Sequence, residues 1–543
     1  MPYKSPTAVR GYIIPLTVGN FTGGLNLRDY PSEIADNESP ACENVTVDAR
    51  GGVTKRLGLL RLDDPTGTNI PTDIRNFYYW AAKKLYMIHD FPDKIKSSPD
   101  LKNWTTRYTL PSGGTTFCPF ADFAGKLFIG VPVAAGGVAV WDGVTGTASL
   151  VAGAGPPVYS SPKAQCLAVW QNKLWAAEGN KIFASQTGNA ETLTTPPGGG
   201  TAIPPWDMTN DFNAILEKDS LPITALGGGQ GMDISGRPGL LVFKDDSTYR
   251  VNESRSAAAG TETNPIFFGA YTTLHTHAGA AGPLAVTTAS TGQTCFIGKR
   301  GIYMTDGVNA PQEVSGRIEP FFSDAELQYF SGATAQWSAG RFRDRVLFSV
   351  TRTQGKPDYT LEFNPIQGWI VPHSFGISAY TETFMDQKEF IGAQNGKILS
   401  LFLSGSDDGV PIHARWQSRW YEPFGGYEFR MRRLRITGRG QFNLYTRVDY
   451  TLAAGVLSAF QVFDSSSEWG VAIWGQTLWG TNPVEAYQDF WSLGYGKSVS
   501  FVIDETSSDN LIGPPLNITG SVQETGAFTF YSAKLDMIRL GYT

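Results

Sequence analysis

Val169-Trp170-Gln171-Asn172-Lys173-Leu174-Trp175 is one of seven places in this 543-residue chain where an apolar run meets a small polar turn and a second apolar run follows. The clearest companions are Tyr79–Ile88, turning at Lys83-Lys84, and Phe123–Ile129, turning at Gly125-Lys126. Weaker copies are Leu241–Tyr249, Phe296–Tyr303, Phe342–Phe348 and Phe384–Ile391. With Lys84, Lys126, Lys173, Asp246, Arg300, Arg345 and Lys388 as markers, the steps are 42, 47, 73, 54, 45 and 43 residues. A β pattern that returns every 40–50 residues or so is the sequence mark of a propeller or repeat array. Second hairpins follow some copies, as in Gly137–Gly143 and Ala176–Ala184, and two hairpins make the four strands of one blade.

The fold expected is therefore all-β: a β-propeller of six or seven blades over residues 63–405, with an N-terminal arm or strand pair at 1–62. A C-terminal antiparallel β-sandwich is expected over 406–543, where the phrase stops and long alternating runs such as Phe442–Val448 and Phe528–Leu535 take over. The long 173-to-246 step contains Thr187–Leu221, with Pro196-Pro197-Gly198-Gly199-Gly200, which reads as a loop inserted on one face. Only Pro40–Asn44, Asn213–Lys218 and Asp324–Phe330 read as helical.

Composition supports many short strands and tight turns: 61 Gly, 33 Pro and 13% aromatic residues. The net charge of −6 excludes a chain that grips phosphate through a broad basic surface, yet it suits a surface along which nucleic acid slides. Four widely spaced cysteines (Cys42, Cys118, Cys166, Cys295) read as buried thiols. The opening Met1–Pro6 shows no apolar signal core and no run is long enough for a membrane span, so the expectation is a soluble chain without a membrane anchor.

Catalytic patterns are thin. His275-Thr276-His277 offers two imidazoles without a carboxylate at ligand spacing, and Gly227–Gly231 lacks the Lys-Ser/Thr of a phosphate loop, so it reads as a flexible turn. Asp63-Asp64, Asp245-Asp246 and Asp407-Asp408 read as solvated turn residues. No nucleophile elbow is present, so no enzyme, no metal and no cofactor is expected. Trp469, Trp474 and Trp479 each precede or follow close glycines, as in Trp469-Gly470, and offer aromatic faces for contact with sugar or for packing.

The N-terminal stretch carries a resemblance. Phe21, Gly23, Gly24, Leu25, Asn26, Arg28 and Asp29, then Glu43, Asn44 and Val45, then Gly51, Gly52, Val53, Lys55, Arg56 and Gly58 resemble the opening of bacteriophage tail structural proteins. They are similar in particular to the tail nozzle or hub proteins of short-tailed phages. Val169–Ser185 and Gly279–Phe322 resemble blades of the same proteins. The resemblance implies a structural virion protein forming a ring, expected as a homohexamer, around the DNA exit channel. Portal and adaptor proteins would lie above it, tail fibres or a tip protein beside or below, and viral DNA would pass without sequence-specific binding. Arg28, Asp29, Lys55, Arg56, Arg430 and Arg432 are the candidates for contact with another subunit or tail partner. The alternative is a host-surface, glycan-binding or fibre-attachment component that uses Trp469, Trp474 and Trp479.

Overall fold

In a computed structural model of the chain, six of the repeated phrases are β-hairpins, the turn of Phe384–Ile391 lying outside the described residues, and their turn residues show why. Ala124 and Gly125 both have positive φ (51° and 75°), as do Gln171 and Asn172 (51° and 56°). Two successive left-handed residues form the two-residue turn whose twist matches that of the flanking strands. The structure describes residues 13–539 apart from 49, 112–116, 145, 152–160, 192–204, 207–211, 215–219, 233–237, 252–270, 324–335, 353–354, 384–388, 440–443, 451–456, 459–483, 490–494 and 505–528. It divides into two compact units: one of residues 60–366 and 375–401, the other of 1–59, 367–374 and 402–543.

The larger unit is a succession of antiparallel sheets. The first runs Ile74–Trp80, Leu85–Asp90, Lys94–Ser98, Thr105–Thr109, and the second Phe120–Phe123, Lys126–Val131, Gly137–Trp141, Ser149–Leu150. The third is Cys166–Trp170, Lys173–Glu178, Lys181–Ala184, Phe212–Ala214, and the fourth Ala225–Met232, Pro238–Phe243, Thr248–Val251, Tyr271–His275. The fifth is Val286–Thr288, Thr294–Gly298, Gly301–Thr305, Gln312–Glu313. Ser338–Phe342, Arg345–Val350 and Tyr359–Phe363 begin the sixth. The seventh joins Ala379–Thr383, Glu389–Gln394 and Lys397–Ser404 to a strand from far earlier in the chain, Gly58–Arg61.

The first strands of the second to seventh sheets adjoin in order, and that of the seventh adjoins that of the first. Asn76 Nδ2 donates to Cys118 O (2.8 Å) between the first and second sheets. Ala339 N–H donates to Leu284 O (2.7 Å) between the fifth and sixth, and Tyr79 N–H to Thr381 Oγ1 (3.0 Å) between the first and seventh. The circuit is a β-propeller. Its core lies between sheets. Trp80, Met87 and Ile95 of the first pack with Leu127, Ile129 and Trp141 of the second, and Phe77, Tyr86 and Ile88 pack with Ile391, Ala393 and Ile398 of the seventh. Each fully buried large side chain contributes roughly 1.5–3 kcal/mol. The ring is closed by chain segments about 335 positions apart: Leu62 N–H donates to Ile398 O (2.8 Å), and Ile398 N–H to Asp63 Oδ1 (2.9 Å).

A second local device ends the third strand in several sheets. The carboxylates of Asp100, Asp142 and Asp306, and the amide oxygen of Asn364, each accept a backbone N–H two residues on. Such turns point the chain back toward the fourth strand.

The smaller unit joins both ends of its sequence. Ile13–Gly19 pairs in antiparallel register with Thr529–Arg539, from Ile13 opposite Ile538 to Gly19 opposite Ser532. Phe429–Arg439 flanks the same strand on its other side. A second sheet orders Ala41–Glu43, Arg415–Gln417, Val499–Asp504, Leu444–Val448 and Leu457–Ser458. The ring of Phe21 lies 4.5 Å from that of Trp416 in the second sheet and 5.3 Å from that of Phe530 in the first. The segment read as an arm or strand pair, 1–62, and the terminal segment 406–543 both supply strands to these two sheets.

Three local readings change. The stretch Pro40–Asn44 is strand, not helix, since its residues Ala41–Glu43 pair with Arg415–Gln417, and Asn213 sits in strand Phe212–Ala214. Asp324–Phe330 lies outside the described residues. Gly227–Gly231 is part of strand Ala225–Met232, not a turn: Gly227 and Gly228 pair with Leu241 and Leu240, and the register shifts before Met232. The irregular marker spacing also has a source beyond the insertion. The phrases at Leu241–Tyr249 and Phe296–Tyr303 are the second and third strands of their sheets, whereas those at Phe123–Ile129 and Val169–Trp175 are the first and second.

The four cysteines are all buried and reduced, and enclosure pushes each thiol up to about 12. Native protein at pH 8 should therefore react with a thiol reagent only as fast as it opens, and all four groups should react at once in denaturant. His89 is fully enclosed, and burial, with Arg75 nearby, holds its imidazole down from 6.5 to about 4 despite Asp90 and Asp73. Between those values the unfolded chain binds the proton that the folded chain refuses, so stability falls as pH drops from 6.5 toward 4. His89→Gln should flatten the stability-versus-pH slope in that window by up to about 1.4 kcal/mol per pH unit, read by urea unfolding.

Candidate functional site

The N-terminal residues that carry the resemblance, 21–58, lie in the smaller unit. Gly24 has φ +69°, and a Cβ there would stand 2.7 Å from Ile370 O, so the close approach of strand Gly24–Leu25 requires glycine. Asn26 is buried and saturated. Its Nδ2 donates to Glu38 Oε2 (2.7 Å) and Asp29 Oδ2 (3.0 Å), and its Oδ1 accepts from the N–H groups of Arg28 (3.1 Å) and Asp29 (3.2 Å). Glu38 follows the same logic, also accepting Ala35 N–H (3.0 Å).

The centre is Arg56, whose side chain is wholly enclosed. Its guanidinium makes a bidentate pair with the Asp407 carboxylate, donates through Nε to Asn44 Oδ1 (2.9 Å), and reaches Leu57 O (3.2 Å). Asn44, itself left-handed (φ 55°), donates through Nδ2 to Ser374 Oγ (2.8 Å) and His413 O (2.8 Å), and its backbone N–H donates to Pro372 O (2.9 Å). Gly58 completes the set, since a Cβ there would lie 2.1 Å from Ser406 O. Residues 44–58, 370–374 and 406–413 are thereby tied at one point.

The candidate contact residues separate by exposure. Arg28 and Asp29 are adjacent, surface-placed and ion-paired (3.2 Å). Lys55 is buried in strand Val53–Lys55, opposite Val45, and Arg56 is enclosed as above, so neither is presented to a partner in this fold. Arg430 and Arg432 lie on the outward side of Phe429–Arg439, whose Phe429, Met431, Leu434 and Ile436 face the core. An irregularity between Met431 and Arg433 turns two successive arginines off the buried face. In that strand Arg433 stands opposite Asp536 on one neighbour and Asp489 on the other, whereas Arg435 stands opposite Lys534 and Tyr487. Trp469, Trp474 and Trp479 lie outside the described residues, as does most of 187–221.

Of the paired carboxylates, Asp63 pairs with Arg61 (2.7 Å), Asp245 with Lys299 (2.5 Å) and Asp407 with Arg56, so each doublet has at least one member in an ion pair. The rings of His275 and His277 lie 6.4 Å apart, and among the described residues no three His, Cys, Asp or Glu side chains converge as a metal site. Among the described residues no helix is long and apolar enough to cross a membrane. The partnership of Arg56 with Asp407 has no sequence signal, since 351 positions separate them.

No family model and no curated protein matches the chain. Among solved structures it is similar to a streptogramin B lyase (TM-score 0.40, 12% identity, over 64% of this chain and 97% of that one). It is also similar to Sqt1 of Saccharomyces cerevisiae (TM-score 0.36, 12% identity, 64% and 99%) and to YCF48 bound to D1 peptide (TM-score 0.36, 9% identity, 67% and 98%). Likeness at this level carries no activity or partner across.

Removing one partner of an enclosed ion pair leaves an uncompensated charge and costs about 3–5 kcal/mol. Arg56→Ala and Asp407→Ala should each lower unfolding free energy by that order, and Arg56→Met with Asp407→Leu should recover most of it. Arg432→Ala, on the outward side, should stay within about 0.5 kcal/mol of the parent in the same urea titration.

Proposed function

We propose that the chain is a structural protein of a bacteriophage tail, a nozzle or hub subunit that assembles as a ring, with six copies expected, around the DNA exit channel. In this reading the seven successive sheets are the seven blades of the propeller, the last closed by strand Gly58–Arg61, and the smaller unit is a β-sandwich of its two larger sheets. The observation that carries the reading is the use made of the resembling residues. Phe21, Gly24, Asn26, Asn44, Arg56 and Gly58 are all packed, bonded or sterically confined inside one unit. A motif used in this way holds a frame together; it does not present reactive groups, and that favours a wall component over a catalyst.

Portal and adaptor proteins above and fibre or tip proteins beside or below are the partners of this reading, and viral DNA is the cargo of the channel. Weak net acidity suits that cargo, because phosphate is not held by a surface without dense basic patches. The deciding measurement is mass photometry of the purified chain together with protein mass spectrometry of purified phage particles. A discrete closed oligomer, six copies in the simplest case, and presence in the particle are expected. A monomer at micromolar concentration that is missing from particles would overturn the proposal.

A further inference from the structure

The inner ring of strands in the propeller has one wide interval. The first strands of the second to seventh sheets adjoin in order and the seventh meets the first, whereas Ile74–Trp80 of the first sheet and Phe120–Phe123 of the second stand further apart. Alternation decides which side chains fill the seam. Asn76, Tyr78 and Trp80 project from one face of their strand toward the second sheet, and Phe120 and Asp122 project back toward the first.

The Tyr78 and Phe120 rings lie 6.3 Å apart, tilted by 50°. Trp80 and Phe120 are buried, while Tyr78 and Asp122 are half-buried. A backbone group of Asp122 hydrogen-bonds the Tyr78 hydroxyl, and burial, helped by the Asp122 charge, pushes that phenol up to about 12. Burial also raises the Asp122 carboxyl above its ordinary 3.8, opposed by the Trp80 indole N–H beside it. That N–H belongs to a side chain with no exposure and makes no hydrogen bond of ordinary geometry. Elsewhere in the propeller enclosed carboxylates are matched: Asp63 by Arg61, Asp90 by Lys96 and Glu362 by Arg345. Asp122 differs. Lys83 stands over the Trp80 ring, 6.0 Å from its centroid, and among the described residues neither it nor any other cation forms an ion pair with Asp122.

We propose that this seam binds an alkylammonium group, with the Asp122 carboxylate as its counter-ion and the Tyr78 and Phe120 rings as its walls. A half-buried carboxylate holds a cation more strongly than an exposed one, because less water screens the pair. Aromatic faces attract an ammonium and cover the methylenes that carry it. The carboxylate disfavours an anion, and a metal ion needs more oxygen ligands than one carboxylate supplies. Free amines and the tip of a lysine side chain carry the same group. The inference rests on the propeller and not on the tail reading.

The test is isothermal titration calorimetry of the full chain at low salt with cadaverine, with Nα-acetyl-lysinamide, and with n-pentanol as an uncharged control. Cadaverine is expected to bind at millimolar concentration and n-pentanol to give no heat. Asp122→Asn should weaken cadaverine about tenfold and Tyr78→Leu roughly fivefold, the loss of one charged contact and of one ring face. Asp122→Asn also removes a charge that burial disfavours, so its urea midpoint should equal or exceed that of the parent, which separates lost binding from lost fold. Binding of cadaverine alone assigns the site to a free amine; binding of Nα-acetyl-lysinamide as well extends it to a lysine of another chain, and both results support the proposal. No heat from either amine, equal heat from n-pentanol, or cadaverine binding unchanged in Asp122→Asn would overturn it. Mass photometry reads the oligomer independently, so either proposal can fail alone.

Discussion

An enclosed guanidinium sets the terms for the smaller unit. Water cannot reach the Arg56 side chain, so its charge and its donors must be met by protein, and Asp407, Asn44 and the Leu57 carbonyl meet them. Breaking any one of these leaves a buried group unsatisfied, a penalty larger than the net gain of an ordinary hydrogen bond. That asymmetry makes the clasp all-or-none. The strands around it can be short, such as Val53–Lys55 and Ala41–Glu43, because their positions are held by the polar centre as well as by pairing.

The propeller unit solves a different problem by different means. A single four-stranded sheet has two faces and two edges, and it buries both faces only between neighbours. Closing the circuit gives every sheet two neighbours, which is why Ile88 and Ile391, from the first and seventh sheets, share one core. The bond from Leu62 to Ile398 and the acceptance of Ile398 N–H by Asp63 hold the two ends of that circuit against opening. Without them the first and seventh sheets would expose their shared apolar face, and exposed strand edges invite pairing with other chains.

Much of this was legible in the residues. The hairpin phrases at Phe123–Ile129 and Val169–Trp175 fold as read, since a turn that needs left-handed residues and two flanking apolar strands is a local affair. At Leu241–Tyr249 and Phe296–Tyr303, however, the same phrase marks a different pair of strands. Hairpins within a sheet are locally alike, so only the neighbours decide which pair comes first. Gly227–Gly231 misled for a related reason: glycine reads as a turn, and cross-strand pairing overrode it.

The candidate site was legible in part. Alternating apolar residues, turn chemistry and spacing act over a few positions, so the chain alone dictated hairpins, an all-β class and thiols suited to burial. It also displayed the resembling motif, but not what the motif does. That Arg56 would be enclosed and not surface-placed, and that Ile13–Gly19 would lie against Thr529–Arg539, depended on partners hundreds of positions away. Charge and aromaticity are properties of a residue. Whether they are buried, paired or offered to a ligand is a property of the surroundings, and only the folded chain supplies those.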